Sequence, residues 1–359
     1  MGVLMITLGF IGGLVLLLIG ADILVRGSVM LATSLRIPML VAGMTIVAFG
    51  TSAPELGVSL QASLSGEAAG IAVGNVIGSN IFNTLVILGI AAMITPIVLG
   101  ATTIRFDVPF MIAISALLVF FCRDNQISRP EGAILFLIFV AYNVYTFLEV
   151  RRVARAENLA ETFVSKILAG PVLLAAGLVA GGLILLILGS GLVVDNAVEL
   201  ANMLGISQLV IGLTIVAAGT SLPELATSVM AGIRGERDIA IGNVIGSNIF
   251  NILAVMGLSA IFSPVPLQVS TAAQHLDLPM LLAVSLICLP VFYTGFKIDR
   301  LEGLFFLLFF FAYMGYHVFL ANTESGPEDW QNVILTVVAI VTVLILGHLF
   351  AQKRRKARG

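Results

Sequence analysis

Two glutamates of this chain, Glu55 and Glu224, each directly follow a proline inside a long apolar stretch. They end two copies of one motif, GTSAPE and GTSLPE, and a carboxylate in such surroundings is by default a functional group. In the first copy Thr51 and Ser52 precede Glu55 by four and three residues, so all three share one face of a helix. Carboxylate and hydroxyl oxygens gathered in this way are ligands for a hard cation such as calcium.

A second polar motif, GNVIGSNIFN, follows each glutamate and is identical in its two copies. Each copy places a serine and an asparagine four residues apart on one helical face, and these pairs are Ser79 with Asn83 and Ser247 with Asn251. Each copy also has two glycines that allow a neighbouring helix to approach closely, namely Gly74, Gly78, Gly242 and Gly246. We therefore expect the two motifs to pack together, so that the serine and asparagine oxygens complete a cation site.

Both motifs belong to one internal duplication, in which Gly50 to Asn83 recurs as Gly219 to Asn251. Pro54 and Pro223 cannot donate backbone hydrogen bonds to the carbonyls of Gly50 and Gly219, so each predicts an opened turn of helix. In a bilayer, carbonyls freed by such a break persist only where they are buried in protein or bind something. Duplicated, broken membrane helices of this kind point to the central binding site of a secondary transporter.

The composition is that of a membrane protein: 59% of the residues are hydrophobic, 11% are charged, and the mean hydropathy is +1.11. Apolar runs of about 18 residues or more predict helices that cross a hydrocarbon core about 30 Å thick. The sequence contains eleven such runs: 3–25, 38–64, 69–95, 106–122, 130–149, 169–195, 207–233, 239–262, 277–294, 301–320 and 331–350. With the N-terminus outside and the C-terminus in the cytoplasm, every Lys and Arg except Arg123 and Arg129 falls on the cytoplasmic side.

The predicted fold is an all-α polytopic membrane protein with two inverted-topology five-helix repeats and an eleventh transmembrane helix. The repeats are inverted because the proline–glutamate motifs lie on spans two and seven, and an odd separation reverses the direction of the chain. The predicted segments are a first repeat (1–150), a cytoplasmic linker (151–168), a second, inverted repeat (169–322), the extra helix (331–350) and a basic cytoplasmic tail (351–359).

Other residues give little sign of separate chemistry. The net charge is −2 and no basic patch is interleaved with aromatic residues, so nucleic-acid binding is not expected. Neither Ser52 nor Ser221 has a His or Lys base at a plausible spacing, which argues against an enzyme. No cofactor or protein partner is inferred, and the lipid bilayer is the expected environment. The histidines lie near span ends without paired acids and are predicted to play no part in transport: His275, His317 and His348.

Two copies of G-T-S-x-P-E, each followed by G-N-x-x-G-S-N, resemble the alpha repeats of the calcium/cation antiporter superfamily, most closely its prokaryotic sodium/calcium exchangers. The resemblance covers spans one to ten and implies a cluster of ion sites at mid-membrane in a prokaryotic plasma (inner) membrane. Glu55 and Glu224 would be the carboxylates shared by Ca²⁺ and Na⁺. The further ligands implied are the side-chain oxygens of Thr51, Ser52, Thr220, Ser221, Ser79, Ser247, Asn83 and Asn251 and the backbone carbonyls of Ala48 and Ala217.

One position departs from the resemblance. Some similar exchangers have an aspartate where this chain has Asn251. Glu55 and Glu224 are then the only formal charges of the implied site, and together they balance one Ca²⁺ or two Na⁺. The ion stoichiometry is therefore left open, whereas calcium binding is little affected.

Competition of Ca²⁺ and Na⁺ for the same carboxylates, exposed alternately to each side, gives antiport that moves calcium out of the cell. The expected gate is sliding of spans one and six, whose glycines present little side chain: Gly9, Gly12, Gly13, Gly177, Gly181 and Gly182. Three alternatives stay open. A cation/proton antiporter of the same superfamily would use Glu55 or Glu224 as a proton carrier, and the others are an ion channel and an intramembrane hydrolase.

Overall fold

The structure is a computed structural model that describes residues 3–65, 69–98, 100, 103–156, 170–204, 217–293 and 296–321. Helices account for most of these residues: α1 (Val3–Leu35), α2 (Met39–Thr51), α3 (Ala53–Ser65), α4 (Gly70–Ile94), α5 (Thr103–Asp124), α6 (Arg129–Ala156), α7 (Gly170–Met203), α8 (Leu222–Ile233), α9 (Arg237–Phe262), α10 (Ala273–Phe292) and α11 (Arg300–Ala321). A short helical turn, Ala217–Gly219, precedes α8. Four two-residue strands lie in the connections: β1 (Ile97–Val98), β2 (Gln126–Ile127), β3 (Leu267–Gln268) and β4 (Lys297–Ile298).

Within the described part of the chain, seven helices are long and apolar enough to cross a membrane, or eight if α2 and α3 form one bent span. α11 coincides with the predicted tenth span. The predicted eleventh span (331–350), the basic tail (351–359), most of the linker (151–168) and the first part of span seven lie outside the described residues. The count of eleven spans therefore stays a prediction.

The helices that contain the predicted first and sixth spans are longer than those spans. α1 and α7 contain 33 and 34 residues. At 1.5 Å per residue each is about 50 Å long, well beyond the hydrocarbon thickness. Both helices continue beyond the apolar runs that predict these spans, because α1 ends at Leu35 and α7 at Met203.

The chain forms two compact units, and each contains segments of both predicted repeats. The first unit comprises Met1–Gly57 and Ile134–Ala254. The second comprises Val58–Ala133 and Val255–Gly359. Both proline–glutamate motifs and the second copy of the Gly-Ser-Asn motif therefore lie within the first unit.

In the first unit, α1 and α7 pack against each other through glycines. A Cβ atom at Gly182 would lie 2.6 Å from the backbone nitrogen of Leu24 and 2.8 Å from the carbonyl oxygen of Gly20. One at Gly189 would lie 2.9 Å from the carbonyl oxygen of Gly13. The two helices are antiparallel, since later residues of α7 meet earlier residues of α1. Only backbone-to-backbone contact allows so close an approach.

The predicted sliding glycines divide into two groups at this interface. A Cβ atom added at Gly9, Gly13 or Gly182 would meet atoms of the opposite helix within 3 Å. In contrast, no described atom lies within 4 Å of a Cβ added at Gly12, Gly177 or Gly181. The glycine-rich runs therefore contain positions where a side chain would clash with the opposite helix and neighbouring positions where a Cβ would meet no other described element.

α2 and α9 of the first unit also approach closely. A Cβ at Gly246 would lie 2.5 Å from the carbonyl oxygen of Met44, and one at Gly242 would lie 2.7 Å from that of Leu40. This confirms the predicted close approach at the second copy of the motif. Gly74 and Gly78 of the first copy have no described atom within 4 Å of an added Cβ, and the segment that would correspond to α2 lies mostly outside the described residues.

The second unit is organised about α5 and α10. β1 pairs with β4 and β2 pairs with β3, in both cases antiparallel, with Ile97 opposite Ile298 and Gln126 opposite Gln268. β1 precedes α5 and β2 follows it, so the two strand pairs lie at opposite ends of that helix. Between them Ser115 Oγ of α5 lies 3.2 Å from Ser285 Oγ of α10. These short strands do not change the all-helical architecture.

His317 has an acidic partner, contrary to the sequence interpretation. Its Nε2 lies 2.8 Å from Asp277 Oδ1, and the Tyr313 hydroxyl donates to the same oxygen at 2.8 Å. The three side chains join α11 to the first turns of α10. The sequence did not reveal this pair because Asp277 and His317 are far apart in the chain.

Candidate functional site

Both proline–glutamate motifs break their helices at the serine. Ser52 has φ −87° and ψ 9°, and Ser221 has φ −89° and ψ 7°. These are nearly the same backbone angles, in a sparsely populated region that many active-site residues occupy. The axes of α2 and α3 differ by 45° across Ser52. The predicted break is therefore present, and the two copies share its geometry.

The break leaves fewer free carbonyls than the sequence predicts. The carbonyls of Ala48 and Gly50 both accept hydrogen bonds from backbone N–H groups at the end of α2, and Ser52 N–H donates to Ala48 at 3.0 Å. The chain re-pairs these groups at the end of α2, which is how broken membrane helices keep their backbone satisfied. The Ala48 oxygen also lies 3.4 Å from the Thr51 hydroxyl, so the Ser52 N–H and that hydroxyl face its two lone pairs.

Each glutamate lies in the first turn of the helix that starts after the break. Glu55 belongs to the first turn of α3 and Glu224 to the first turn of α8. Pro54 and Pro223 occupy early positions of the same turns, where proline removes no hydrogen bond. A helix N-terminus carries a partial positive charge that stabilises a nearby carboxylate.

The two motifs exchange hydrogen bonds. Ser52 Oγ donates to Glu224 Oε1 at 2.7 Å, and Ser221 Oγ donates to Glu55 Oε1 at 3.0 Å. All four of these side chains are fully buried. The serine of each copy thus bonds the glutamate of the other, and the pair of motifs forms one polar cluster.

The Gly-Ser-Asn motif on α9 contributes buried oxygens to the first unit. Ser247 Oγ and both side-chain polar atoms of Asn251 are buried without a hydrogen-bond partner among the described residues. Asn251 also begins a π-helical turn, Asn251–Val255, a distortion that is frequent at functional sites. Leaving a buried polar group unpaired costs roughly 1–3 kcal/mol, so these atoms are available to a ligand.

For the remaining predicted ligands, the structure gives mainly their burial and their position in the helices. Ser79 and Asn83 lie in the second unit, where both are buried and Asn83 begins a π-helical turn, Asn83–Ile87. Thr220 is half-buried just before the break at Ser221. Ala217 begins the short turn Ala217–Gly219. Their contribution to an ion site stays a prediction.

A family model described as sodium/calcium exchanger protein matches residues 5–148 and 174–319, which contain both copies of the two motifs.

The chain belongs to the sodium/calcium exchanger family.

Relatives in this family extend over most of the chain. The putative antiporter CaxA of Alkalimonas amylolytica is 37% identical over 89% of this chain and 100% of its own length. The inner membrane protein YrbG of Escherichia coli (strain K12) is 40% identical over 79% and 87%. The sodium/calcium exchanger MaX1 of Methanosarcina acetivorans is 34% identical over 86% and 98%. The chain is therefore a multi-pass helical membrane protein with bacterial and archaeal relatives.

A solved structure of the sodium-calcium exchanger NCX_Mj, soaked with Na⁺ and Ca²⁺, is similar in fold and sequence. The TM-score is 0.72 at 31% identity, and the match covers 88% of this chain and 98% of that one. The likeness in both fold and sequence supports cation antiport as the activity of the family to which this chain belongs.

Sequence reasoning missed two features near the motifs. Asn243 accepts a hydrogen bond from Thr51 Oγ1 at 3.1 Å and so touches the site. Asp22 of α1 pairs with Arg26 and with Arg234, which follows α8. The contacts of Asn243 with Thr51 and of Asp22 with Arg234 join residues that are distant in sequence, and no local pattern indicates them.

Proposed function

We propose that this protein exchanges Ca²⁺ for Na⁺ across the membrane at a cluster built around Glu55 and Glu224. The observation that carries the proposal is the reciprocal bonding of two fully buried glutamates with the serines of the opposite motifs. Two carboxylates enclosed in a membrane protein need positive charge nearby, and a transported cation supplies it. Family membership supports a cation as the substrate.

Oxygen ligands other than the two glutamates complete the proposed coordination shell. Calcium takes six to eight oxygens and tolerates irregular geometry, so carboxylates, hydroxyls, amides and carbonyls can share one site. The buried polar atoms of Ser247 and Asn251, which have no hydrogen-bond partner among the described residues, support this donor set. The proposed set is Thr51, Ser52, Thr220, Ser221, Ser79, Ser247, Asn83 and Asn251, with the carbonyls of Ala48 and Ala217.

Competition for these glutamates would couple the two ions. With Asn251 neutral, the formal charge of the cluster comes from Glu55 and Glu224, which one Ca²⁺ or two Na⁺ would balance. Ca²⁺ and Na⁺ would then occupy the cluster in turn and not together. If the site opens to each side of the membrane in turn, binding of only one kind of ion at a time results in antiport.

We also propose inverted repeats with the N-terminus outside. The strand pairs support this topology, because β1 and β4 fall in loops predicted on the cytoplasmic side and β2 and β3 in loops predicted outside. The glycine contacts are reciprocal as well: Gly182 meets Gly20, and Gly189 meets Gly13. Sliding of α1 with α7 along this small-residue interface would open the site to one side at a time.

Radioactive calcium uptake into proteoliposomes tests the proposal. Vesicles loaded with Na⁺, with K⁺ or with a pH gradient would be diluted in turn into calcium buffer. We expect uptake only from the outward Na⁺ gradient. Uptake driven by the pH gradient alone would instead assign a cation/proton antiporter, and uptake without any gradient of a counter-ion would indicate a channel.

A further inference from the structure

The buried side chain of Asn243 connects the two proline–glutamate motifs. Thr51 Oγ1, from the first motif, donates to Asn243 Oδ1 at 3.1 Å. Asn243 Nδ2 donates to the backbone carbonyl of Glu224, from the second motif, at 3.3 Å and to Ser228 Oγ at 2.9 Å. Asn243 is fully buried on α9. One amide therefore spans α2, α8 and α9 within the first unit.

The chemistry of these partners fixes which way the amide faces. A backbone carbonyl such as that of Glu224 can only accept, so the NH₂ group must point toward it. The amide oxygen then faces Thr51, and an amide oxygen can only accept. The Thr51 hydroxyl must therefore donate its one hydrogen to Asn243 at 3.1 Å. The Ala48 carbonyl at 3.4 Å and the Glu224 side chain are the other acceptors within its reach.

When Asn243 holds this hydrogen, the hydroxyl presents its lone pairs in a fixed direction. Cations bind oxygen lone pairs, and a hydroxyl that rotates freely must lose that freedom when the ion binds. We propose that Asn243 is a positioning residue that orients the Thr51 hydroxyl so that its oxygen faces the transported cation. This inference rests on the proposed function, and it adds a residue that contacts no ion itself.

The same asparagine–serine bond occurs in the other repeat. In the second unit Asn75 Nδ2 donates to Ser59 Oγ at 2.9 Å, as Asn243 donates to Ser228. The first asparagine of each GNVIGSNIFN motif therefore carries an equivalent contact. Its recurrence supports an architectural role for these asparagines in holding the broken helices in place.

A double-mutant cycle on equilibrium calcium binding to the purified full-length protein separates orientation from general packing. The variants are Asn243→Ala, Thr51→Val and the two combined. If Asn243 acts through the Thr51 hydroxyl, each single variant weakens Ca²⁺ binding roughly tenfold, and the combined variant is scarcely weaker than Thr51→Val alone. Effects that multiply in the combined variant, or unchanged affinity in Thr51→Val, would overturn the inference.

A control variant and a substitute variant accompany the cycle. Asn143→Ala removes an asparagine of the same unit whose amide nitrogen donates to the carbonyl of Phe139 within its own helix, and we expect parental affinity. Should Asn243→Ala fail to fold, Asn243→Ser completes the same cycle with a shorter side chain. A parent that binds no Ca²⁺ would contradict the proposed function, whereas a binding parent with an additive cycle contradicts only the role of Asn243.

Discussion

The serine of each proline–glutamate motif bonds the glutamate of the other motif. Ser52 bonds Glu224 and Ser221 bonds Glu55, so movement of either motif changes the surroundings of both carboxylates. A cation held by Glu55 and Glu224 would therefore act on both motifs at once. This gives a physical route by which ion occupancy and the arrangement of the broken helices influence each other.

Replacing either carboxylate by an amide should abolish calcium transport in a protein that still folds. Glu55→Gln or Glu224→Gln removes half of the formal charge that faces a divalent ion and leaves a weaker ligand of the same shape. Calcium flux in proteoliposomes measures the effect. Glu149→Gln, at a half-buried glutamate that pairs with Arg152 and belongs to neither motif, serves as the matched control. Parental flux from either site variant would remove these residues from the mechanism.

Asn251→Leu should separate stability from ion binding. The Asn251 amide is buried without a partner among the described residues, so leucine relieves a desolvation penalty of about 1–3 kcal/mol. We expect the ion-free variant to unfold at a higher temperature than the parent and to bind Ca²⁺ more weakly.

Ser259→Ala is the comparison variant for this experiment. Ser259 Oγ is also buried without a described partner, but the residue belongs to neither motif. We expect raised stability with unchanged calcium affinity. If Asn251→Leu also left the calcium affinity unchanged, Asn251 would not be an ion ligand.

At the residue scale, the sequence identified the members of the serine–glutamate cluster but not their pairing. Acids within apolar spans are expensive to bury, so Glu55 and Glu224 were recognisable from sequence alone. The contact of Asn243 with Thr51 depends on how α2 packs against α9, and that of His317 with Asp277 on how α11 packs against α10. Neither contact has a periodicity or spacing from which it could be predicted.

The packing of α1 on α7 is the element-scale feature most suited to sliding. Its contacts run between backbones at Gly13, Gly20, Gly182 and Gly189, with Leu186 packed among them. Interdigitated large side chains would resist translation, whereas glycine contacts present a smoother surface. The interface is therefore close, and at its glycine positions it presents no side chain that would resist translation.

Gly182→Ala should impair both folding and transport, whereas its neighbour Gly181→Ala should not. A Cβ at position 182 would lie 2.6 Å from a backbone nitrogen, which forces the helices apart, and overpacking of this kind costs about 1–3 kcal/mol. No described atom lies within 4 Å of a Cβ at position 181. Thermal unfolding and calcium flux measure both effects. Equal stability and flux for the two variants would contradict the packing described.

The boundaries of the helices and strands were only partly predictable from the sequence. The helix break was predictable because proline and glycine act locally, and the structure has it at Ser52. The extension of α1 to Leu35 was not, since an apolar run marks where lipid ends and not where a helix ends. The β1–β4 and β2–β3 pairs were also missed, because two-residue strands carry no periodicity.

At the scale of the whole molecule, each compact unit contains parts of both predicted repeats. The proline–glutamate motifs of both repeats fall in the first unit, so a cluster assembled from two copies of one sequence lies inside one body. The family and the helical architecture followed from the duplicated motifs. The division into units did not, because it depends on contacts between segments far apart in sequence.

The proposed topology predicts the sides on which the termini lie. A reporter fused after Gly359 should be cytoplasmic, and a tag before Met1 should be accessible from outside intact cells, because the basic residues then lie inside. Accessibility of either tag from the opposite side would contradict the orientation.

Deletion of 326–359 should leave exchange largely intact, since both predicted repeats end before that point. A truncated protein that folds but does not transport calcium would give the last segment a part in the mechanism.

Competition between Na⁺ and Ca²⁺ for binding to the purified protein tests whether the two ions share one cluster. Bound radioactive calcium would be measured at equilibrium while the Na⁺ concentration is raised at constant ionic strength, in the parent and in Glu224→Gln. The account predicts that Na⁺ displaces calcium completely from the parent, whereas K⁺ at the same concentration does not, and that the variant retains little calcium to displace. Calcium that stays bound at saturating Na⁺, or that binds Glu224→Gln as tightly as the parent, would contradict a single cluster shared by the two ions.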